Sequence, residues 1–245
     1  MKKILFALAL AVVATACHTN EGDTTNQVGK IAINAATRSE VATTSEEGRF
    51  VLTDIPTAEE LKVEIEGNNT AQSWATLAEL NTAIAEGLTF TSAAYTITLS
   101  YGESGAEGWS KPYFEGSATV EVPMYGLTAE ANVEVVLLNS ILAIESTDNF
   151  NGYFPQATFK VKEFQWEANK EELLFLNAGE VTIICEAVRQ SGATTTLESK
   201  VTLKPTTRHT VVFDLLTAGN AEVKVTFDNK IVEVIEQEFE LNENA

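Results

Sequence analysis

Cys17 carries the most definite chemistry in this 245-residue chain. It follows Ala14-Thr15-Ala16, three small residues, and these follow an unbroken apolar run from Ile4 to Val13. Lys2 and Lys3 put positive charge ahead of the run. A positive end, a short apolar core and small residues at a cut site make a secretion signal. The core is shorter than the ~20 residues that a bilayer-spanning helix needs. A cysteine placed at the cut implies lipoprotein processing. Its thiol is acylated, residues 1–16 are removed, and Cys17 becomes a lipidated N-terminus. Ala14 departs from the usual pattern, where Leu is commonest three residues before the Cys. The alternative is an ordinary cleaved signal with an incidental Cys.

The other reactive residue types form no constellation. Cys185 lies in the apolar run Val181 to Val188 and reads as a buried thiol serving as a small hydrophobe. No basic residue adjoins it in sequence to lower its pKa. With Cys17 lipidated it has no partner, which excludes a disulfide framework. His18 falls in a polar segment. His209, in Thr207-Arg208-His209-Thr210, reads as a surface or turn residue at the start of a strand. No nucleophile-elbow motif accompanies it, and a His/Cys metal site lacks ligands. Asp148-Asn149-Phe150-Asn151-Gly152 lacks the alternating ligand positions of a calcium loop and reads as a plain turn. Carboxylates abound, but nothing selects a catalytic pair. The expectation is a protein that is not an enzyme and holds no cofactor and no metal. Trp74, Trp109 and Trp166 could form an aromatic platform for a glycan. Trp109 adjoins a Gly-rich loop, where binding residues collect, and is the candidate ligand contact. Packing in the core or at its rim is the alternative.

Charge narrows the partners. The formal charge is −19, and losing Lys2 and Lys3 takes it to −21. Such a surface repels nucleic acid and anionic headgroups, so no nucleic-acid partner is expected.

The elements that must carry these residues are mostly strands. Residues 17–28 are polar and read as a tether. From Gly29 the pattern has period two: Ile31, Ile33 and Ala35; then Leu61, Val63 and Ile65; then Tyr95, Ile97, Leu99 and Tyr101. Strict alternation buries one face and marks antiparallel sheets. One helix stands out. Thr76 and Glu79 match a capping box, Leu77, Leu80 and Ile84 follow at helical spacing, and Gly87 supplies the stop. Asn139-Ser140 interrupts the apolar run Val135 to Ile144, and the domain boundary is placed there. In Ile231 to Leu241 the apolar face switches near Val234-Ile235, which implies a bulge or a segment facing two cores. The sequence therefore predicts an all-β chain of two consecutive antiparallel β-sandwich domains, residues 29–139 and 140–245, with one short helix in the first.

The order of features resembles a family of Bacteroidetes surface lipoproteins known only as a domain of unknown function. In that family a Pro-Tyr-(Phe/Tyr)-x-Gly segment follows an aromatic strand. Here it is Pro112, Tyr113, Phe114 and Gly116, followed by a Val-x-Val strand and an apolar strand ending at Asn139-Ser140. The layout is also loosely similar to fimbrillin-type two-domain lipoproteins. That likeness implies an outer-membrane, lipid-anchored protein at the cell surface with a structural or adhesive role, and assembly with itself or fimbrial subunits by strand addition. A surface glycan-binding module is the alternative. Some fimbrillins are trimmed after an Arg near the N-terminus, and Arg38 and Arg49 are the candidate positions. Asp23-Thr24-Thr25 resembles the O-glycosylation acceptor of secreted Bacteroidetes proteins, with Thr24 as the acceptor; an unmodified linker is the alternative.

Overall fold

The computed structural model describes residues 27–43, 48–167, 169–215, 222–228 and 230–236. The protein is all-β and forms two consecutive sandwiches. Its N-terminal half runs β1 (Val28–Thr37), β2 (Glu40–Thr43), β3 (Arg49–Val51), β4 (Lys62–Gly67), β5 (Thr70–Trp74), helix α1 (Leu77–Ala85), β6 (Phe90–Thr91), β7 (Ala94–Tyr101), β8 (Gly108–Trp109), β9 (Phe114–Glu121) and β10 (Thr128–Leu137). Its C-terminal half runs β11 (Ser140–Ser146), helix α2 (Asp148–Tyr153), β12 (Gln156–Val161), β13 (Phe164–Glu167), β14 (Leu174–Leu176), β15 (Gly179–Val188), β16 (Thr194–Leu203), β17 (Thr207–Leu215), β18 (Glu222–Phe227) and β19 (Lys230–Glu236).

Alternation decides which side chains go inside. In β4, Val63 and Ile65 are buried while Lys62 and Glu66 face water. In β7, Tyr95, Ile97 and Leu99 are buried, and Tyr101 emerges where the strand runs out. The strand order is β5-β4-β7-β9-β10-β1-β6. β10 pairs with β9 only at Val136 and Leu137 and with β1 along the rest of its length. The sheet therefore folds over at β10, as strands that switch layers do at sandwich corners. Ile31, Val133 and Val135 meet Val63, Ile97 and Leu99 in one core. Helix α1 plugs that core with Leu77 and Leu80, and Trp74 packs beside them. Thr76 caps it by accepting the Glu79 N–H at 3.1 Å. The Glu79 carboxylate reaches back to the N–H of Ala75, one residue beyond the usual box partner.

The second sandwich sets β13-β12-β15-β16 against β19-β18-β17-β11-β14-β8. Phe159, Val161, Ile183 and Cys185 face Leu142, Ile144, Val211 and Phe213 across its core.

Three features differ in detail from the sequence reading. The pairings of β1 with β10, β11 with β17 and β2 with β17 are parallel, so the two sheets that contain them are mixed. Alternation reports a wet face and a dry face but not the direction of a neighbour. Asp148–Tyr153 is a helix rather than a plain turn. Thr147 accepts the N–H of Phe150 at 3.3 Å, and the Phe150 ring is fully buried. In β19 the extra residue is Val232, because Val225 pairs with Glu233 and Thr226 with Ile231. That bulge lies two residues before the expected switch.

The two cores interleave at the junction. Ile141 and its partner Phe175 belong to the first core, whereas Leu142 and Leu174 belong to the second. The β11–β14 pair is thus covered on both faces. Two strands of the N-terminal half, β2 and β8, hydrogen-bond to β17 and β14 of the second sheet.

Candidate functional site

The structure brings the Pro-Tyr-Phe-Glu-Gly segment and the Asn-Ser pair together. Asn139, buried at the end of β10, accepts the backbone N–H of Tyr113 on Oδ1 and donates from its amide to the Ala106 carbonyl at 3.3 Å. Ser140 donates to the Lys204 carbonyl at 2.7 Å. Gly116 lies so close to β10 that a Cβ would sit 2.1 Å from the Glu134 carbonyl oxygen. The Tyr113 hydroxyl bonds to Glu115, and burial together with that carboxylate pushes its pKa above the usual range. The loop between β7 and β9 is pinned by these contacts.

Outside the pinned loop opens a groove of about 580 Å³, lined by Asp54, Ile55, Tyr101, Glu103, Ser110 and Lys111 among others. Glu60 stands at its wall. The N–H and hydroxyl of Thr57 both reach the Glu60 carboxylate at 2.8 Å, and these bonds hold its pKa below the usual value. An exposed ring beside carboxylates, a hydroxyl and an ammonium can stack on an apolar face and bond to hydroxyl groups. The volume suits a small ligand.

Trp109 is not on that wall. It lies in β8 opposite Leu174 and packs against the second core. Trp166 meets its ring edge-on at 5.1 Å, and the Lys170 ammonium sits 3.8 Å from the ring centre. Tyr101 is the aromatic residue that faces the groove. Its alternation with Tyr95, Ile97 and Leu99 matches a buried position, yet it is exposed.

The two arginines flank the N-terminal strands. β1 lies between β10 and β6, and its backbone pairs with β10 from Lys30–Thr128 to Thr37–Val135. It buries few large side chains: Ile31 is fully buried, while Ile33 and Ala35 are only partly so. Arg38 follows the strand, exposed and paired with Glu134 at 2.6 Å, and its N–H donates to the Val135 carbonyl at 2.8 Å. Arg49 opens β3 with its side chain 75% exposed and pairs with Glu40 across the hairpin. Cleavage after Arg38 separates β1 alone, and cleavage after Arg49 separates β1 and β2. Cys17 and Thr24 lie outside the described residues.

His209 corrects the sequence reading. It is neither a surface nor a turn residue but fully buried in β17. Its Nε2 accepts the Lys204 N–H at 2.8 Å, its Nδ1 lies 2.7 Å from Asp228 Oδ2, and its ring stacks on Phe227. The backbone donor fixes the lone pair on Nε2, so Nδ1 carries the proton and donates to Asp228. The signal was present in the sequence: His209 shares its parity with Thr207, Val211 and Phe213. Cys185 is buried and unpartnered by any disulfide, and burial, helped by Glu186, pushes its pKa up to about 12. Among the described residues no group of three or more His, Cys, Asp or Glu could hold a metal ion.

A family described as a domain of unknown function, DUF4493, matches residues 21–243. The chain belongs to the DUF4493 family. The resemblance carried by Pro112, Tyr113, Phe114 and Gly116 is borne out at the level of the family. No curated protein matches this DUF4493 chain. It is similar in structure to a candidate cell adhesion protein from Bacteroides eggerthii, with a TM-score of 0.39 and 10% identity over 87% of this chain and 98% of that one. A candidate adhesin from Bacteroides ovatus gives a TM-score of 0.42 and 10% identity over 85% and 96%. A fimbrial protein from Bacteroides ovatus gives 0.39 and 8% identity over 85% of this chain and 54% of its own.

Proposed function

We propose that this DUF4493 protein reaches the outer-membrane surface as a lipid-anchored precursor with a structural or adhesive role, and that, once Arg trimming frees it from the anchored segment, it joins its neighbours by strand addition. The observation that carries the proposal is β1. It is the first strand of the described chain, it ends at exposed Arg38, and it contributes backbone pairing more than buried side chains. Removing it leaves the edge of β10 unpaired from Thr128 to Val135. An extended segment of a neighbour fills such a slot with main-chain bonds, and alternate side chains give the specificity. In this reading the donor is the C-terminal segment around β19, which among the described residues is an edge strand paired with β18 of its own sheet. No catalytic role is part of the proposal. Two experiments test it. A labelled fatty acid fed to cells marks the wild type, and Cys17→Ala abolishes the mark; an unlabelled wild type contradicts the anchor. An Arg-specific protease converts a Cys17→Ser chain from monomer to oligomer on a sizing column, and Arg38→Ala with Arg49→Ala prevents this. A trimmed chain that stays monomeric contradicts strand addition.

The groove beside Tyr101 favours a second reading, a glycan-binding module. Neutral hexose trisaccharides then bind, and Tyr101→Ala weakens them by about two- to tenfold, the scale of one lost stacking contact. Binding that ignores Tyr101→Ala contradicts this reading.

A further inference from the structure

Six large apolar side chains are prominently exposed among the described residues, and three of them share one tight turn. They are Met124 (48%), Tyr125 (69%) and Leu127 (60%), in the connection between β9 and β10. Clustered exposure of this kind marks a contact surface, whereas scattered exposed residues do not. The turn is also unusual in its backbone. Tyr125 has φ +64° and Gly126 φ +70°. Two successive left-handed residues normally call for Asn or Gly, and a bulky aromatic residue there is disfavoured. The Tyr125 ring stands out in water on this backbone.

The position of the turn identifies what covers it. Gln27 accepts the N–H of Ser92 at 2.7 Å, Val28 accepts the N–H of Gly126 at 2.8 Å, and Lys30 donates to the Leu127 carbonyl at 2.8 Å. The chain therefore enters the fold against this turn. Gly29 is fitted so closely beneath it that a Cβ would lie 2.2 Å from the Pro123 carbonyl oxygen. Ten residues lead from Cys17 to Gln27. Fully extended they reach about 35 Å, and as a coil about 18 Å. A lipid on Cys17 thus keeps the turn within reach of the bilayer. β1 then runs about 30 Å to Arg38, at the end of the sandwich beside β2 and the second sheet. Charge selects the lipid. Glu121 and Glu130 flank the hairpin on exposed positions and Lys30 is half-buried, so neutral headgroups fit better than anionic ones.

We propose that the turn Met124–Leu127 seats in the headgroup layer of the membrane to which Cys17 is anchored, so that the first sandwich stands end-on and the second projects outward. The proposal rests on the lipid anchor of the preceding reading. Tyr in this role follows the preference of aromatic residues for the interface, with Met and Leu dipping toward the acyl chains.

The test uses the full mature lipoprotein carrying Leu127→Cys. Cys185 is buried and Cys17 is acylated, so the new thiol alone takes an environment-sensitive dye. Ser191→Cys, in the exposed β15–β16 turn, is the comparison, and Met124→Cys is the second reporter. Each protein is reconstituted into phosphatidylcholine–phosphatidylethanolamine vesicles and recovered by flotation. The proposal predicts several-fold brighter, blue-shifted emission at 127 and 124, quenched by spin-labelled lipid, and water-like emission at 191. Proteins that float while the dye at 127 and 124 stays water-like overturn the seating and leave the anchor intact. Proteins that fail to float overturn the anchor and the seating together. Emission that rises with protein concentration without vesicles means that a second copy covers the turn, and also overturns the proposal.

Discussion

Asn139 takes the backbone N–H of Tyr113 on its side-chain Oδ1 and so ties the end of β10 to the start of β9. Its amide holds Ala106, and its carbonyl accepts the N–H of Thr206 at 3.0 Å, ahead of β17. One buried residue therefore connects the groove loop of the first sandwich with the second. The family features at Pro112–Gly116 and Asn139-Ser140, distant in sequence, are two sides of this junction.

Asn139→Ala leaves the half-buried Tyr113 N–H and Ala106 carbonyl without these partners. The expected loss is about 1 kcal/mol, the lower end of the cost of unsatisfied buried groups. Chemical denaturation checks it. The midpoint falls while the far-ultraviolet spectrum stays that of the wild type. An unchanged midpoint would show that the junction does not depend on Asn139.

Gly116→Ala and Gly105→Ala separate two kinds of glycine. Gly116 faces the Glu134 carbonyl at a distance no Cβ tolerates, so Ala there forces β9 and β10 apart and costs on the order of 1–3 kcal/mol or more. Gly105 has open space but φ +76°, so Ala costs about 1–2 kcal/mol through the backbone alone. Thermal melts of both variants check the order. Gly105→Ala as the more damaging change would contradict the packing argument.

Cys185 gives a pH prediction with a definite sign. Its pKa rises from 9.0 to about 12 in the fold, so between those values the unfolded chain has released a proton that the folded chain retains. Stability then falls as pH rises through this window, by no more than about 1.4 kcal/mol per pH unit. The contribution is complete below pH 9 and exhausted above about 12. Denaturation of a Cys17→Ser chain at pH 8 to 11, compared with the same chain carrying Cys185→Ala, isolates the effect. Parallel pH profiles for the two would refute it, as would rapid native-state labelling of Cys185 by a thiol reagent.

Much of the fold is legible in residues 29–139. Val63, Ile65, Ile97 and Leu99 show their burial by spacing, and Thr76 with Glu79 marks the start of α1. What the sequence hides is partnership. Nothing in Val28–Thr37 says that its neighbour β10 runs parallel to it, because period two is the same in either direction. For His209 residue type points outward and parity points inward, and parity prevails. Buried imidazole is affordable here only because Asp228 and the Lys204 N–H, remote from it in strand order or set in a turn, satisfy both nitrogens. Tyr101 is the opposite case: its parity points inward, but its strand ends at the groove. Alternation carries Met124 on with Val120 and Val122, but β9 ends at Glu121 and Met124 is exposed, because exposure here is a property of the assembled end of the sandwich.

The most direct measurement of the account's central claim, that β1 is an exchangeable strand, is a reversible lock. Asn34 and Asn132 are register partners on β1 and β10, and their side chains hydrogen-bond at 3.1 Å. Replacing both with Cys in a Cys17→Ser chain places a disulfide across adjacent strands, while Cys185 stays buried out of reach. After Arg-specific trimming, sizing chromatography should show monomer under oxidising conditions and oligomer once reductant releases the strand. Oligomers that form equally well with the lock closed, or a reduced and trimmed protein that stays monomeric, would contradict the account.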